Sequence, residues 1–139
     1  MSTPNDDPQT YIDDMARKRG YVLEYHKVMA AHDFEVLQRA NALIEGAYLR
    51  ERRLERWVKE LIFVTSLVVA RAPKGHIQSH IRVALDLGVS KETILEAIEI
   101  ALPEAGVVAF QSGVEAWQEV VQAEVVEPSV AAHEAGRSD

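Results

Sequence analysis

The sequence predicts an all-α protein, a compact bundle of about six helices. Apolar residues recur at spacings of three and four, and no stretch alternates apolar and polar residues as a half-buried strand does. Glycine and proline stand where helices would end and begin, as at Gly20, Pro73 and Gly88. With 139 residues, of which 47% are apolar, we expect a single domain over residues 9–126.

Two helices are predicted before residue 32. Residues 1–8 are polar and contain two prolines, so we expect a flexible N-terminus. Pro8 suits the opening of a first helix, which ends at Gly20. Residues 21–31 form the second helical segment.

Two longer helices are predicted next. Asp33 is the expected N-cap of a third helix, residues 34–49, in which apolar residues recur at helical spacing. A fourth helix, residues 55–72, is polar at its start and apolar nearly all round after Glu60. This pattern is typical of a helix buried among others.

The next helix, residues 75–87, follows a break at Pro73, since proline cannot continue a helix but can begin one. Gly88 is the predicted left-handed cap at its end, and Ser90 the N-cap of the following helix. The sequence therefore predicts a tight helix–helix turn over residues 88–90.

The last part of the chain is predicted to hold two helices and a tail. A helix reaches about Leu102, residues 103–106 interrupt it, and a long final helix ends near Val126. The predicted packing seam of that final helix consists of Val107, Phe110, Val114, Trp117 and Val121. Residues 127–139 are expected to form a flexible C-terminal tail.

Charge and composition exclude several functions. A net charge of −7 opposes nucleic-acid binding, and the basic cluster at residues 50–56 is interleaved with glutamates, as in a solvated helix junction. The absence of cysteine excludes disulfides, thiolate nucleophiles and zinc–thiolate sites. No signal peptide is recognisable, and the longest apolar run is about half the ~20 residues of a membrane span. We therefore expect a cytoplasmic protein without nucleic-acid or membrane partners.

His76 and His80 are four residues apart, so they project from one helical face and are close enough to share a metal ion or a substrate. The alternative is one core histidine and one exposed histidine. Glu60 is either a structural residue of its helix or held there for a task. A strict antiparallel hairpin would place Glu60 roughly 18 Å from the turn and His80 about half as far. Either the helices cross at an angle, or Glu60 meets the histidines of another subunit.

Arg71 lies close to three full turns after Glu60, on the same stripe. It either holds a substrate carboxylate near His76 or bonds the carbonyl groups at its own helix end. The other histidines have no partner at ligand spacing and are assigned to structure or solvent; they are His26, His32 and His133.

Residues 59–62 (Lys-Glu-Leu-Ile), residues 80–90 (His-Ile-Arg-Val-Ala-Leu-Asp-Leu-Gly-Val-Ser), and the glutamates and isoleucine at Glu92, Ile94 and Glu96 resemble the carboxymuconolactone decarboxylase family. Its superfamily also contains the alkylhydroperoxidase D proteins, and the resemblance covers about residues 50–125. It implies an alkylhydroperoxidase D-like helical fold, assembly into homotrimers or homohexamers, and a site near a subunit boundary.

The resemblance also implies a chemistry. Where the peroxidase branch has two cysteines before its histidine, this chain has Pro73 and His76, so thiol peroxidase activity is not implied. What remains is a cofactor-free decarboxylase of aromatic-compound catabolism, acting on a small unsaturated lactone or keto acid. His80 is then the acid/base, Glu60 orients it or shares its proton, and His76 is a second proton carrier or a polar wall. The expected partner is a small carboxylate substrate, with Arg71 as its binding residue.

Two alternatives remain open at this point. Glu60, His76 and His80 form a two-histidine, one-carboxylate set, which is a ligand type of non-haem iron and of catalytic zinc. The cofactor would then be a divalent metal ion. The other alternative is a non-enzymatic helical oligomer that binds a small ligand or a protein.

Overall fold

The computed structural model describes residues 6–135, with the side chains of residues 6–124, and this part of the chain is all-helical without a strand. The fold-class prediction is thereby confirmed. The chain divides into two compact units, one ending at Lys59 and one beginning at Glu60. A single domain over residues 9–126 stays a prediction, and residues 1–5 of the predicted flexible N-terminus lie outside the described residues.

The first unit contains α1 (Pro8–Arg19), α2 (Glu24–His32), α3 (Phe34–Ile44) and a π-helical turn (Glu45–Leu49). Its apolar core comes from the first three helices and consists of Ile12, Met15, Ala30 and Leu37. The helix boundaries follow from local chemistry, because Pro8 begins α1 and Gly20 ends it in the left-handed conformation. The Asp33 carboxylate accepts a hydrogen bond from the Val36 amide, which confirms the predicted N-cap of α3.

Helix α4 (Arg56–Val69) begins after an irregular segment, residues 50–55, and ends three residues before the predicted end at Ala72. Its end is a left-handed cap formed by Arg71, whose φ is 58°. The Arg71 amide bonds the Val68 carbonyl, and the Ala72 amide reaches back to the Leu67 carbonyl. These two bonds form a Schellman motif, which satisfies the terminal carbonyls of the helix.

Helices α5 (Lys74–Asp86) and α6 (Lys91–Glu99) flank the predicted turn. Gly88 has φ of 91°, and the Ser90 hydroxyl accepts a hydrogen bond from the Thr93 amide. Both cap predictions are therefore confirmed. Helix α7 (Ala101–Ala135) is interrupted at Gly106, where φ is 83°, and packs against α5 and α6.

The centre of the α7 packing face differs from the predicted seam. The buried positions are small, namely Ala109, Gly113 and Ala116, together with Val120. The prediction was wrong for Val107, which is 60% exposed, while Phe110, Val114 and Trp117 pack at the edges of the core. The reason is steric, since small residues let the helix approach closely and large apolar side chains then flank the contact.

The backbone of α7 is helical to Ala135, beyond the predicted end near Val126. The predicted tail therefore begins within a helix, and its residues 136–139 lie outside the described residues. From residue 6 to residue 135, no helix combines the length and apolar character that crossing a bilayer requires.

Candidate active site

A carboxyl group and an imidazole form a pair in the core of the second unit. The Nδ1 atom of His80 on α5 lies 2.7 Å from the Oε2 atom of Glu60 on α4. Both side chains are fully buried, at 0% exposure. Buried ionisable groups are costly unless they bond one another, so this pair is the strongest chemical feature of the unit.

Two aromatic neighbours fix the plane of the His80 imidazole. The Phe63 ring stacks on it with centroids 4.5 Å apart and planes within 4° of parallel. The His76 ring lies on the same helix, with its centroid 5.5 Å from that of His80. His76 is only partly buried, so it lies nearer to solvent than the pair does.

The surroundings shift the pKa values of Glu60 and His76, the two titratable neighbours of His80, in opposite directions. Burial raises the pKa of the Glu60 carboxyl above its ordinary value of 4.5, and the hydrogen bond with His80 opposes this rise. Burial, followed by the nearby His80, lowers the pKa of His76 below 6.5. At neutral pH His76 is therefore an uncharged imidazole, able to accept a proton.

The short distance between Glu60 and His80 arises within one chain. With α4 predicted to run to Ala72, Glu60 lay too far from the predicted turn for a strict hairpin to bring it to His80. The structure ends α4 earlier. With α4 ending at Val69 and α5 beginning at Lys74, four residues belong to the connection. Glu60 then lies nine residues from its helix end and His80 six from its own, a difference of about one turn. A second subunit is not needed to form the pair.

The profile of the Carboxymuconolactone decarboxylase family matches residues 35–119. The chain belongs to this family. The matched range contains Glu60, Phe63, His76 and His80. No curated protein matches the chain.

The fold of this family member is similar to that of a proposed carboxymuconolactone decarboxylase from Burkholderia xenovorans LB400, known from a crystal structure. The TM-score is 0.76, and the match covers 94% of this chain and 98% of the other. The sequences are 20% identical, so the likeness supports the helical fold and leaves the reaction to be argued from the site.

The structure does not bring Arg71 to the pair. Arg71 is exposed two residues past the end of α4, and the helix from Glu60 to Val69 alone spans about 14 Å along its axis. The predicted stripe is present on α4 itself, because Val64 and Val68 are buried in line with Glu60. Substrate binding by Arg71 stays a prediction.

Among the described residues, no group of three or more histidine, cysteine, aspartate or glutamate side chains is arranged to hold a metal ion. The alternative of a metal on Glu60, His76 and His80 therefore stays a prediction without support from this geometry. The Oε2 atom of Glu60 and the Nδ1 atom of His80 face each other, so they do not point together at a third position where a metal ion could bind.

Of the remaining histidines, His26 is a buried structural residue whose Nδ1 accepts a hydrogen bond from the Leu23 amide at 3.0 Å. His32 is exposed, and the side chain of His133 lies outside the described part of the chain. The residue that the sequence did not single out is Phe63. Its spacing of three from Glu60 on one helix was the available signal, since i and i+3 residues are neighbours.

Proposed function

We propose that this member of the family is a decarboxylase that acts on a small unsaturated lactone or keto acid with Glu60 and His80 as a proton-carrying pair. The buried 2.7 Å contact between the two side chains carries the proposal. Burial raises the pKa of the Glu60 carboxyl, which bonds the imidazole directly. In the proposal this pair supplies the proton that the reaction needs.

The proton balances the reaction. The bond between the substrate carboxylate and the adjacent carbon breaks, carbon dioxide leaves, and the electron pair moves into the conjugated carbonyl as an enolate. The Nε2 atom of His80, on the side of the ring away from Glu60, delivers a proton to carbon. Glu60 keeps the Nδ1 proton in place and remains as the carboxylate.

Resetting the pair requires a proton from solvent. His76 is half-buried beside His80, and its lowered pKa keeps it neutral and ready to pass a proton on. Phe63 holds the His80 ring in one plane, so that Nδ1 stays directed at Glu60. These two residues are positioning and relay groups in the proposal, and His80 is the group that touches substrate.

The test is the turnover of His80→Gln, because glutamine keeps a polar side chain beside Glu60 but cannot donate and regain a proton as imidazole does. We expect carbon dioxide release from unsaturated lactones and keto acids to fall at least tenfold, a typical contribution of a positioned proton donor being ~10²-fold or more. The exposed His32→Gln is the matched control. Unchanged turnover of a folded His80→Gln protein would refute the assignment.

A further inference from the structure

A cavity of about 500 Å³ lies in the first unit beside the irregular segment that precedes α4. This volume is within the range of small-molecule sites, roughly 300–1,000 Å³. Three of the residues that line it carry a positive charge, and no carboxylate of the described residues lines it. The lining residues of this loop cavity are Ala47, Arg52, Arg53, Leu54 and Lys59. The glutamates that interrupt the basic cluster in the sequence therefore lie outside the loop cavity.

Lys59 is held at the cavity wall by the backbone of the π-helical turn and of the residue that follows it. Its ammonium group donates to the Tyr48 carbonyl and to the Arg50 carbonyl, both at 2.9 Å. The residue is also partly buried. An ammonium group has three N–H donors, so one remains for a bound molecule. The loop cavity thus contains one cation whose position is fixed by the fold.

Arg52 and Arg53 provide the other two positive charges. Both residues are exposed, and within residues 6–124 neither forms an ion pair with a carboxylate. A guanidinium group presents a planar fork of donors that matches the oxygens of a carboxylate or a phosphate. Since three like charges around one cavity repel one another, an anion placed between them is attracted by all three.

The two acidic residues of the segment line a neighbouring cavity. Glu51 and Glu55 are part of its wall, which also includes Arg52 and Lys59. The Glu55 carboxylate accepts a hydrogen bond from the Trp57 indole. In the described part of the chain, neither glutamate forms an ion pair with a cation of the loop cavity. Their charges therefore act on the loop cavity through solvent, where the attraction between charges is weak.

We propose that the loop cavity binds a small organic anion with two negative charges. The carboxylate or phosphate oxygens of this anion pair with the two arginines and the lysine, while Ala47 and the half-exposed Leu54 contact its organic part. A dicarboxylate and a phosphate monoester share this chemistry. All residues of the site belong to the first unit, so the proposal does not depend on the reaction at Glu60 and His80.

The experiment is isothermal titration calorimetry of the full chain with succinate and, separately, with glycerol 3-phosphate. Ionic strength is held constant with sodium chloride, because general screening by salt would otherwise imitate binding. We expect saturation at one molecule per chain for at least one of the two anions, and the anion that binds identifies the ligand class. Glycerol, which carries no charge, should not bind. Absence of saturable binding by both anions would overturn the proposal.

Two substitutions test the arginines. Arg52→Gln and Arg53→Gln each remove one charge and keep a polar side chain, and we expect each to weaken binding at least fivefold. Arg82→Gln is the matched control, because Arg82 is also exposed and forms no ion pair within residues 6–124, but lies on α5 in the second unit. It should change the affinity less than twofold. Equal weakening by all three variants would show a net-charge effect and contradict a site in the loop cavity.

A further substitution tests the cavity without removing a cation. Ala47→Glu places a carboxylate in the lining, where it competes with the ligand for the positive charges, and we expect binding to weaken at least tenfold. Ala47 is exposed, so the larger side chain is compatible with folding. Ala31→Glu adds the same charge at an exposed position of α2 and should change the affinity less than twofold. Wild-type affinity of the Ala47→Glu protein would place the bound anion elsewhere and refute the site.

Discussion

At the scale of single residues, burial decides the behaviour of both titratable groups beside His80. Glu60 has a raised pKa and His76 a lowered one, and in each case loss of solvent is the largest cause. In both cases burial disfavours the charged form. His76 is therefore a neutral base at the edge of the site, as the proposed relay requires.

The pKa of Glu60 predicts how stability changes with pH. Since the folded-state pKa lies above 4.5, the unfolded chain loses this proton first as the pH rises. The folded state then holds more protons than the unfolded state, so the contribution of Glu60 to stability falls as the pH rises from 4.5 to the folded pKa. Glu60→Gln does not titrate, and we expect its free energy of unfolding to rise relative to wild type across this window.

His76 serves as the control, because its contribution to stability should change with pH in the opposite direction. Its folded-state pKa lies below 6.5, so the unfolded chain binds the extra proton first as the pH falls. The contribution of His76 to stability therefore falls as the pH falls from 6.5 to the folded-state pKa, and His76→Gln should remove that fall. Urea unfolding of the three proteins between pH 4 and 7.5 measures both slopes. Parallel curves for wild type and Glu60→Gln would contradict the raised pKa of Glu60.

The residue types of the site could be predicted from the sequence, but their contacts could not. A glutamate at the head of an apolar run and two histidines four apart are visible in the chain, and the family resemblance assigned them roles. The pairing of Glu60 with His80 depends on where α4 ends, and the stacking of Phe63 depends on how α4 and α5 pack. Neither is fixed by spacing within one helix.

At the scale of elements, prolines, glycines and capping residues predicted the helix ends wherever the residue type matched its usual role. Pro8, Gly20, Asp33, Gly88 and Ser90 all do so. The end of α4 is the exception, because its left-handed cap position holds an arginine where glycine is usual. No local signal marked that residue, and the predicted helix was accordingly three residues too long.

The left-handed Arg71 predicts a stabilising substitution. A residue with a Cβ atom is strained at φ of 58°, and glycine there removes a cost of about 1 kcal/mol. We expect Arg71→Gly to raise the free energy of unfolding by up to this amount, as measured by urea denaturation. The same variant tests the predicted role in substrate binding, since a raised KM with unchanged kcat would support a contact between Arg71 and the substrate carboxylate.

Gly113 predicts the reverse effect in the core of the second unit. A Cβ atom at Gly113 would lie 2.8 Å from methyl groups of both Ile98 and Val68, which are buried. Alanine normally favours a helix over glycine by about 1 kcal/mol, but overpacking costs about 1–3 kcal/mol. We expect Gly113→Ala to lower the free energy of unfolding by about 1 kcal/mol or more.

The control for Gly113 is Gly75→Ala on α5. A Cβ atom at Gly75 meets no atom within 4 Å, so this substitution should be neutral or stabilising. Thermal unfolding of both variants separates packing from helix propensity. A Gly113→Ala protein as stable as Gly75→Ala would show that α7 does not approach α4 and α6 as closely as the structure has it.

At the scale of the whole molecule, the predicted oligomer stays a prediction, and exposed apolar side chains suggest where copies of the chain would meet. Near the break at Gly106, the large side chains of Ile100, Val107 and Val108 are 57%, 60% and 67% exposed. Soluble monomers rarely leave large apolar patches in water, since burying such groups is favourable. We propose that copies of this chain cover these residues in a homotrimer or homohexamer.

Light scattering coupled to size exclusion tests this assembly directly. The chain mass is 15.5 kDa, so the mass measured for the wild-type protein should be three or six times that value. Val108→Glu places a charge in the covered surface and should shift the mass towards that of one chain, because an unpaired charge in an apolar contact is costly. Gln118→Glu adds the same charge at an exposed position farther along α7 and should leave the mass unchanged. If Val108→Glu keeps the wild-type mass, the contact between copies lies elsewhere, and a wild-type mass of one chain would make the predicted oligomer wrong.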